Sequence, residues 1–176
     1  MNNDAKYTRV EYERRFFVSP GSNWRSAIES YSKLLEDKYL IDGTLRLRIL
    51  TDLDTGRRLI KLNKKSESGS PYFRKIGRIL LSPGEHALLD SIEGYRLKKT
   101  RYYHNYLGSI FSIDVFEGEL DGLILCETEA ESLEELMLAS PPDYAKREVT
   151  EDPFFTGGNL CRISRPDLLR KLAEFE

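Results

Sequence analysis

The sequence has few cysteines and no long apolar run. Only two of its 176 residues are cysteine, Cys126 and Cys161, and they stand in neither a metal-ligand spacing nor a redox pair. Isolated cysteines of this kind are typical of small buried side chains in a reducing compartment. No stretch approaches the roughly 20 apolar residues of a membrane span, and the N-terminus lacks the basic patch and apolar run of a signal peptide. We therefore expect a cytoplasmic protein that does not enter a membrane.

An excess of positive charge is also missing. The chain carries 27 Lys and Arg against 29 Asp and Glu, a net charge of -2. A globally basic nucleic-acid binder is thus disfavoured, and a long nucleic acid is not an expected partner. Any anion site must be a local concentration of Lys and Arg. A length of 176 residues suits one domain spanning 1–176, and the sequence does not choose between a monomer and a homodimer.

A short run near the N-terminus, residues 10–18, carries charges where a core strand should carry aliphatic side chains. With the period of two that a strand imposes, Glu11, Glu13 and Arg15 share one face. Adjacent carboxylates repel unless a cation lies between them, so they are natural ligands of a hard divalent metal ion. The nearby arginine suggests that an anion binds together with this metal. The alternative is an exposed strand with a solvated charged face.

The rest of the chain alternates predicted strands with capped helices. Apolar residues at helical spacing, from Trp24 to Leu35, predict a first helix that ends near Asp37. Capping boxes predict helices after Ser82 and Ser132, and a last helix follows Ser164. A turn at Asp42 and Gly43 and a polar loop over residues 64–71 separate strands. The strands are predicted at residues 45–50, 58–63, 72–81, 97–103, 111–116 and 123–130.

One strand after another pairs an aliphatic face with a charged face. An open antiparallel sheet with its charges in water and a closed barrel with its charges inside obey this alternation equally well. Clustered guanidinium and ammonium groups suit a polyphosphate, and clustered carboxylates suit magnesium or manganese beside phosphate oxygens. The cationic faces hold Arg15, Arg46, Arg48, Lys61, Lys99 and Arg101, and the acidic faces hold Glu11, Glu13, Asp114, Glu127 and Glu129.

These residues resemble, in order, the signatures of CYTH-domain proteins, the triphosphate tunnel metalloenzymes. Glu11-Tyr12-Glu13-Arg14-Arg15 resembles the E-x-E-x-K/R signature that opens the family's sequences. Six signatures follow one another over nearly the whole chain. The others are Arg46-Leu47-Arg48, the lysine Lys61, Lys99-Thr100-Arg101, the aspartate strand with Asp114, and Glu127-Thr128-Glu129, with residues 150–153 and 159–160 resembling the closing loop.

The resemblance implies an α+β fold: a closed antiparallel barrel of about eight strands that forms a charged tunnel, with amphipathic helices outside. It also implies a triphosphate-bearing substrate and Mg²⁺ or Mn²⁺. Asp114 could instead orient a neighbouring arginine. By this resemblance Glu11, Glu13, Glu127 and Glu129 are catalytic, the same four with Asp114 bind metal, and Arg15, Arg46, Arg48, Lys61, Arg74, Lys99 and Arg101 bind substrate.

The chain departs from the family at one strand. Relatives usually carry R-x-E-x-E there, whereas this sequence keeps Arg74 but has Ile76 and Arg78 at the positions of the carboxylates. A shifted alignment that uses Glu67 is the alternative. The departure makes one tunnel wall more cationic and bears on catalytic competence.

The leading functional hypothesis is a metal-dependent hydrolase of inorganic tripolyphosphate or a nucleoside triphosphate. A class IV adenylate cyclase would share the tunnel and the metal. The departure at Ile76 and Arg78 motivates a third hypothesis, a sensor that binds a polyphosphate or nucleotide without hydrolysing it. The last helix, hinged near Gly157 and Gly158, is expected to cover one tunnel mouth.

Overall fold

Nine β-strands form a single sheet in the computed structural model, which describes residues 8–41, 44–66 and 69–175. The order of the strands around the sheet is β5-β4-β3-β2-β6-β7-β8-β1, β1 also pairs with β5, and every pairing is antiparallel. The strands are β1 (Thr8–Phe17), β2 (Ser32–Leu40), β3 (Leu45–Asp52), β4 (Arg58–Lys65), β5 (Phe73–Leu80), β6 (Gly94–Tyr106), β7 (Ser109–Phe116), β8 (Ile124–Ala130) and β9 (Arg147–Glu148).

Strand β1 closes the sheet into a barrel. Its first half pairs with β5, where Glu11 lies opposite Arg74, and its second half pairs with β8, where Glu13 lies opposite Glu129. Strands β1 to β8 therefore form a closed antiparallel barrel of eight strands, and β9 adds two residues beside the end of β1. Of the two architectures that the alternation allows, the closed barrel is confirmed and the open sheet is excluded. The charged faces of the strands point into the barrel.

The helices lie outside the barrel, as expected. They are α1 (Pro83–Asp90), α2 (Leu133–Leu138), α3 (Gly157–Leu160) and α4 (Arg165–Leu172). The capping box at Ser82 is present, because its side chain accepts from the Glu85 amide while the Glu85 carboxylate accepts from the Ser82 amide. Within the described residues, no helix has the length and apolarity needed to cross a membrane.

The helix predicted from Trp24 to Asp37 is wrong. Only Trp24–Ser26 forms a single 3-10 turn, and Ser32–Leu40 is strand β2. The spacing was deceptive because Trp24, at 1% exposure, packs into an apolar cluster, whereas Leu35 belongs to a strand. Strand β2 fills the gap between β3 and β6, and the backbone hydrogen bonds on both of its edges outweigh the helical pattern.

The loop predicted over residues 64–71 is only partly a loop. Strand β4 extends through Lys65, so residues 64 and 65 belong to the sheet. The predicted turn at Asp42 and Gly43, and Glu67 with its alternative alignment, lie outside the described residues.

The apolar core lies between the barrel wall and the elements packed outside it. One cluster includes Phe116, Leu123, Phe155 and Leu168, and a second includes Trp24 with other outward side chains of the barrel. Burial of each such side chain contributes about 1.5–3 kcal/mol relative to exposure. Since the outer faces of the strands supply this core, the inner faces are left to carry charge.

Candidate functional site

The interior of the barrel encloses a cavity of about 320 Å³. Ten cationic side chains and four glutamates line it. All the expected substrate-binding residues and all four expected catalytic glutamates are among these fourteen. The cations are Arg9, Arg15, Arg46, Arg48, Lys61, Lys65, Arg74, Arg78, Lys99 and Arg101, and the acids are Glu11, Glu13, Glu127 and Glu129.

Arg15 joins two of the glutamates. Its Nη2 contacts the Glu13 carboxylate, and its Nε donates to Glu127 Oε1 at 2.9 Å. Burial alone would raise the pKa of Glu127, but Lys99, Arg15 and Arg101 outweigh it and hold that pKa well below its usual range. Glu127 is therefore ionised at neutral pH. These ion pairs join the inner faces of strands β1 and β8.

Asp37 is a buried residue that sequence reasoning missed. Its side chain is 1% exposed, and its carboxylate accepts from Arg48 Nε at 2.5 Å and Nη2 at 2.6 Å. Burial would raise its pKa, but Arg48 and Arg46 together lower it from 3.8 to about 2. The wrong helix prediction concealed this residue, because only the strand phase of β2 places it beside Arg48.

Arg46 has fewer partners than Arg48. Its Nη1 donates to Tyr39 Oη at 3.5 Å and lies 3.9 Å from Asp37 Oδ2. Its Nε is buried and has no hydrogen-bond partner among the residues that the structure describes. An unpaired buried donor on a cation is costly unless a ligand accepts from it. Arg46 is thus suited to bind an anion in the cavity.

Asp114 does not line the cavity. It is fully buried, and it contacts Lys99 Nζ and accepts from Arg101 Nε and Nη2 at 2.6 Å each. Arg101 Nη2 also donates to Glu127 Oε2 at 2.8 Å. The sequence allowed Asp114 either to bind metal or to orient a neighbouring arginine. We propose that it orients Arg101 and Lys99 from a position buried outside the cavity lining.

Strand β5 carries the two residues that depart from the family pattern. Ile76 is 2% exposed and shares the inner face of the strand with Arg74 and Arg78. Arg78 Nη2 donates to Glu11 Oε1 at 3.1 Å, and Arg9 Nε donates to the same oxygen at 2.9 Å. This wall is therefore cationic, with no carboxylate among its described inward residues.

Strand β4 supplies two lysines. Burial, and then the positive charges of Arg78 and Arg48, lower the pKa of Lys61 from 10.5 to about 8. Burial also lowers the pKa of Lys65. Sequence reasoning missed Lys65 because the strand was ended at residue 63, although its spacing from Lys61 gives it the same phase.

The C-terminal segment covers part of the cavity. Thr156, Gly157 and Gly158 line it, and a Cβ built on Gly157 would lie 2.0 Å from Tyr39 Oη. The last helix, α4, contributes no lining residue, since its Leu168 is buried in the apolar cluster outside the barrel. The expected cover is therefore the start of α3, and its assignment to the last helix is wrong.

Arg14 lies outside the tunnel phase of β1 and binds protein groups outside the barrel. Its Nη2 donates to Glu148 Oε2 at 2.7 Å, and its Nη1 donates to the Ala139 carbonyl at 3.0 Å. The other two cations placed outside the tunnel phase, Lys64 and Lys98, are exposed. All three lie off the cavity, as the period of two predicts.

The four glutamates fit a hard divalent cation by the type of their donors. Burial, and then the carboxylates of Glu11 and Glu13, raise the pKa of Glu129, which indicates mutual repulsion that a cation would relieve. No ready-made group of three His, Cys, Asp or Glu ligands exists in the described part of the chain. The glutamates contact arginines instead, so metal binding requires some of those arginines to move.

The barrel and its interior together define a class of protein: a closed antiparallel barrel whose charged cavity suits a small polyanion with a hard cation. No protein-family model matches the sequence. The chain is 28% identical over 155 residues to an inorganic triphosphatase of Acetivibrio thermocellus, covering 86% of this chain and 93% of the relative.

Two further comparisons agree with this one. An inorganic triphosphatase of Nitrosomonas europaea is 41% identical over 66 residues, which is 37% of this chain and 44% of that protein. A crystal structure of an inorganic triphosphatase superposes with a TM-score of 0.56 at 26% identity, covering 86% of this chain and 93% of the other. These similarities in sequence and fold support the family that the sequence motifs resemble, the CYTH-domain triphosphate tunnel metalloenzymes.

Proposed function

We propose that the protein is a divalent-metal-dependent hydrolase of inorganic tripolyphosphate, which it binds in the tunnel of its barrel. One observation carries the proposal: among the described residues, ten cations and four glutamates line the cavity of about 320 Å³ inside the barrel, although the whole chain has a net charge of -2. A compact polyanion neutralises that excess. The names of the similar proteins, both inorganic triphosphatases, support the same substrate.

The cations bind and orient the substrate. Arg46 offers an unpaired buried donor, and Arg48 is held in place by the Asp37 carboxylate behind it. Phosphoryl transfer requires mainly positioning and electrostatic stabilisation, so a tunnel of fixed guanidinium groups can supply much of the catalysis. The proposed phosphate-binding residues are Arg15, Arg46, Arg48, Lys61, Arg74, Lys99 and Arg101.

The glutamates serve the metal and the attacking water. Glu11, Glu13, Glu127 and Glu129 would hold one or two Mg²⁺ or Mn²⁺ ions, which when bound neutralise phosphate charge. Glu129 has the most exposed of these side chains, at 42%. We therefore assign Glu129 as the glutamate that contacts and orients the attacking water.

The proposal extends to the domain organisation and the cellular compartment of the enzyme. We infer a single domain over residues 1–176 that acts in the cytoplasm on a small-molecule substrate. The two cysteines support a reducing compartment because both are free thiols. Sedimentation of the purified protein distinguishes a monomer from a homodimer, the two states that the sequence allows.

The test measures phosphate release from tripolyphosphate and from ATP with Mg²⁺ or Mn²⁺, beside a binding titration and a product assay for cyclic AMP. The proposal expects faster release from tripolyphosphate than from ATP. Cyclic AMP among the products would instead identify a cyclase. Tight binding without release over hours would identify a sensor, and either result would overturn the proposal.

A further inference from the structure

Arg78 lies on the inner face of β5 and contacts Glu11 on the neighbouring strand β1. Two guanidinium groups meet at Glu11 Oε1, Arg78 Nη2 at 3.1 Å and Arg9 Nε at 2.9 Å. Arg78 Nε also donates to Oδ1 of Asn63, a residue only 1% exposed, at 3.3 Å. The contact with Asn63 fixes the Arg78 guanidinium in place against the glutamate.

These contacts occupy a carboxylate that is one of the proposed metal ligands. The Glu11 side chain is 8% exposed, so its charge interacts strongly with nearby cations. A divalent ion at Glu11 would share a carboxylate whose Oε1 already accepts from Arg78 and Arg9. It would also approach two positive charges. Arg78 and a metal ion therefore compete for the same carboxylate.

We propose that Arg78 withholds Glu11 from divalent metal in the empty tunnel and that bound triphosphate releases it. The inference rests on the proposed function, because it takes Glu11 as a metal ligand. Phosphate oxygens offer the guanidinium strong charge-assisted hydrogen bonds. When Arg78 turns to the phosphate, the Glu11 carboxylate keeps only Arg9, whose side chain is 58% exposed, and binds metal more readily. Metal and triphosphate then promote each other's binding, and this coupling is reciprocal.

Lys61 provides a matched control for Arg78. It lies on β4, which pairs with β5, and it lines the same cavity. With a pKa of about 8 it is mostly charged at pH 7. In the described part of the chain, no carboxylate lies within ion-pair distance of it. Removing Lys61 thus subtracts one tunnel charge without releasing a glutamate.

The experiment measures Mn²⁺ binding to the metal-free protein by electron paramagnetic resonance at pH 7, without phosphate. Arg78→Met should tighten the dissociation constant about tenfold, which is about 1.4 kcal/mol. Lys61→Met should tighten it by about twofold or less, because its charge acts only at a distance. Equal effects of the two substitutions, or no effect of Arg78→Met, would overturn the inference.

A double-mutant cycle identifies the carboxylate that Arg78 withholds. Adding Glu11→Gln to Arg78→Met should abolish the gain in Mn²⁺ affinity, because the released ligand is then missing. A gain that survives in the double variant would overturn the inference. Arg78→Gln takes the place of Arg78→Met if that protein does not fold, and circular dichroism checks each variant.

The release step has its own measurement. With non-hydrolysable imidotriphosphate saturating the tunnel, wild type and Arg78→Met should bind Mn²⁺ within about twofold of each other, since Arg78 has then left Glu11. A persistent tenfold gap would contradict release. None of these titrations requires turnover. Hydrolysis with unchanged Mn²⁺ binding in Arg78→Met would overturn the inference alone, and the predicted Mn²⁺ results without hydrolysis would overturn the proposed function alone.

Discussion

Asp37 and Arg48 form a bidentate ion pair in the wall of the barrel. Arg48 Nε and Nη2 donate to the two carboxylate oxygens at 2.5 and 2.6 Å, and the Asp37 side chain is 1% exposed. Paired donors fix the guanidinium plane as well as its position. Asp37 therefore acts as the support of a phosphate-binding arginine.

Replacing Asp37 should reduce stability strongly. In Asp37→Asn the buried Arg48 loses its partner, and we expect the free energy of unfolding to fall by about 3–5 kcal/mol at pH 7. The Asp37 carboxyl has a pKa of about 2 in the folded state and 3.8 as a reference. Its stabilising charge is therefore fully present above pH 3.8 and is lost as the pH falls through about 2.

Urea unfolding at pH 7, pH 4 and pH 2.5 checks this prediction, because the gap between wild type and variant should narrow over the last interval. Asp143→Asn is the control. Asp143 pairs with an exposed Lys146, whose side chain is 72% accessible, so its loss should cost less than about 1 kcal/mol. A loss for Asp37→Asn no larger than that control would contradict the assigned support.

Removing Arg46 should affect binding more than stability. Its buried Nε has no partner in the described chain, so Arg46→Met removes an unsatisfied donor and should leave the free energy of unfolding unchanged or higher. Tripolyphosphate affinity should fall about tenfold to hundredfold. Arg48→Met is the comparison, because it leaves Asp37 unpaired and should lower both quantities. Calorimetric titration and urea unfolding of both variants measure the two effects.

Tripolyphosphate affinity should decline as the pH rises through about 8. Lys61 has a pKa of about 8 in the empty tunnel, lowered by burial and by Arg78 and Arg48. Bound anion raises that pKa, so binding above pH 8 requires uptake of a proton. The affinity should then fall by up to about tenfold per pH unit.

Lys61→Arg isolates this effect, because arginine stays charged throughout the same range. Binding titrations of both proteins from pH 7 to pH 9.5 measure the effect. Because the substrate ionises identically in both titrations, its contribution cancels when the two affinities are compared. We expect the variant to lose the part of the pH dependence that wild type shows above pH 8. Identical profiles would exclude Lys61 as the titrating group.

Gly157 is required by its close approach to Tyr39. A Cβ at this position would lie 2.0 Å from Tyr39 Oη, whereas a Cβ on Gly158 meets nothing within 4 Å. Gly157→Ala should therefore lower the free energy of unfolding by about 1–3 kcal/mol, and Gly158→Ala should change it little. Adding Tyr39→Phe should restore part of the loss, since the nearest remaining ring atom would be 3.1 Å away. Thermal unfolding of the four proteins tests this contact, and equal losses for both alanine variants would refute it.

Alternation of charge and apolar side chains was enough to predict most of the strands, and the family resemblance predicted that they close into a barrel. The period of two predicted strands β3 to β8, most regularly in β3, where Leu47 opposes Arg46 and Arg48, whereas β5 carries Ile76 on its ionic inner face. It failed at β2, where Trp24, Ile28, Tyr31 and Leu35 imitate a helical spacing. The pairing of that strand with β3 and β6 depends on partners distant in sequence, which a local pattern does not contain.

The lining of the cavity followed from strand phase, but the pairing of its charges did not. Phase placed Arg15, Arg101 and Glu127 inside, yet only the structure shows that Glu127 joins both arginines. Asp114 was placed correctly in phase, and its burial behind Arg101 emerges only from side-chain geometry. The contributions of Thr156 and Gly157 come from a segment without strand periodicity, and the sequence indicated Gly157 only as the hinge of the last helix.

The most direct test of the central claim is phosphorus nuclear magnetic resonance of tripolyphosphate incubated with the protein and Mg²⁺. The account predicts that the tripolyphosphate signals disappear while orthophosphate and pyrophosphate grow in equal amounts. It also predicts that Glu13→Ala forms neither product, because Glu13 lines the tunnel as a proposed metal ligand. Tripolyphosphate that remains intact although bound to wild type would contradict hydrolysis and would identify the tunnel as a binding site alone.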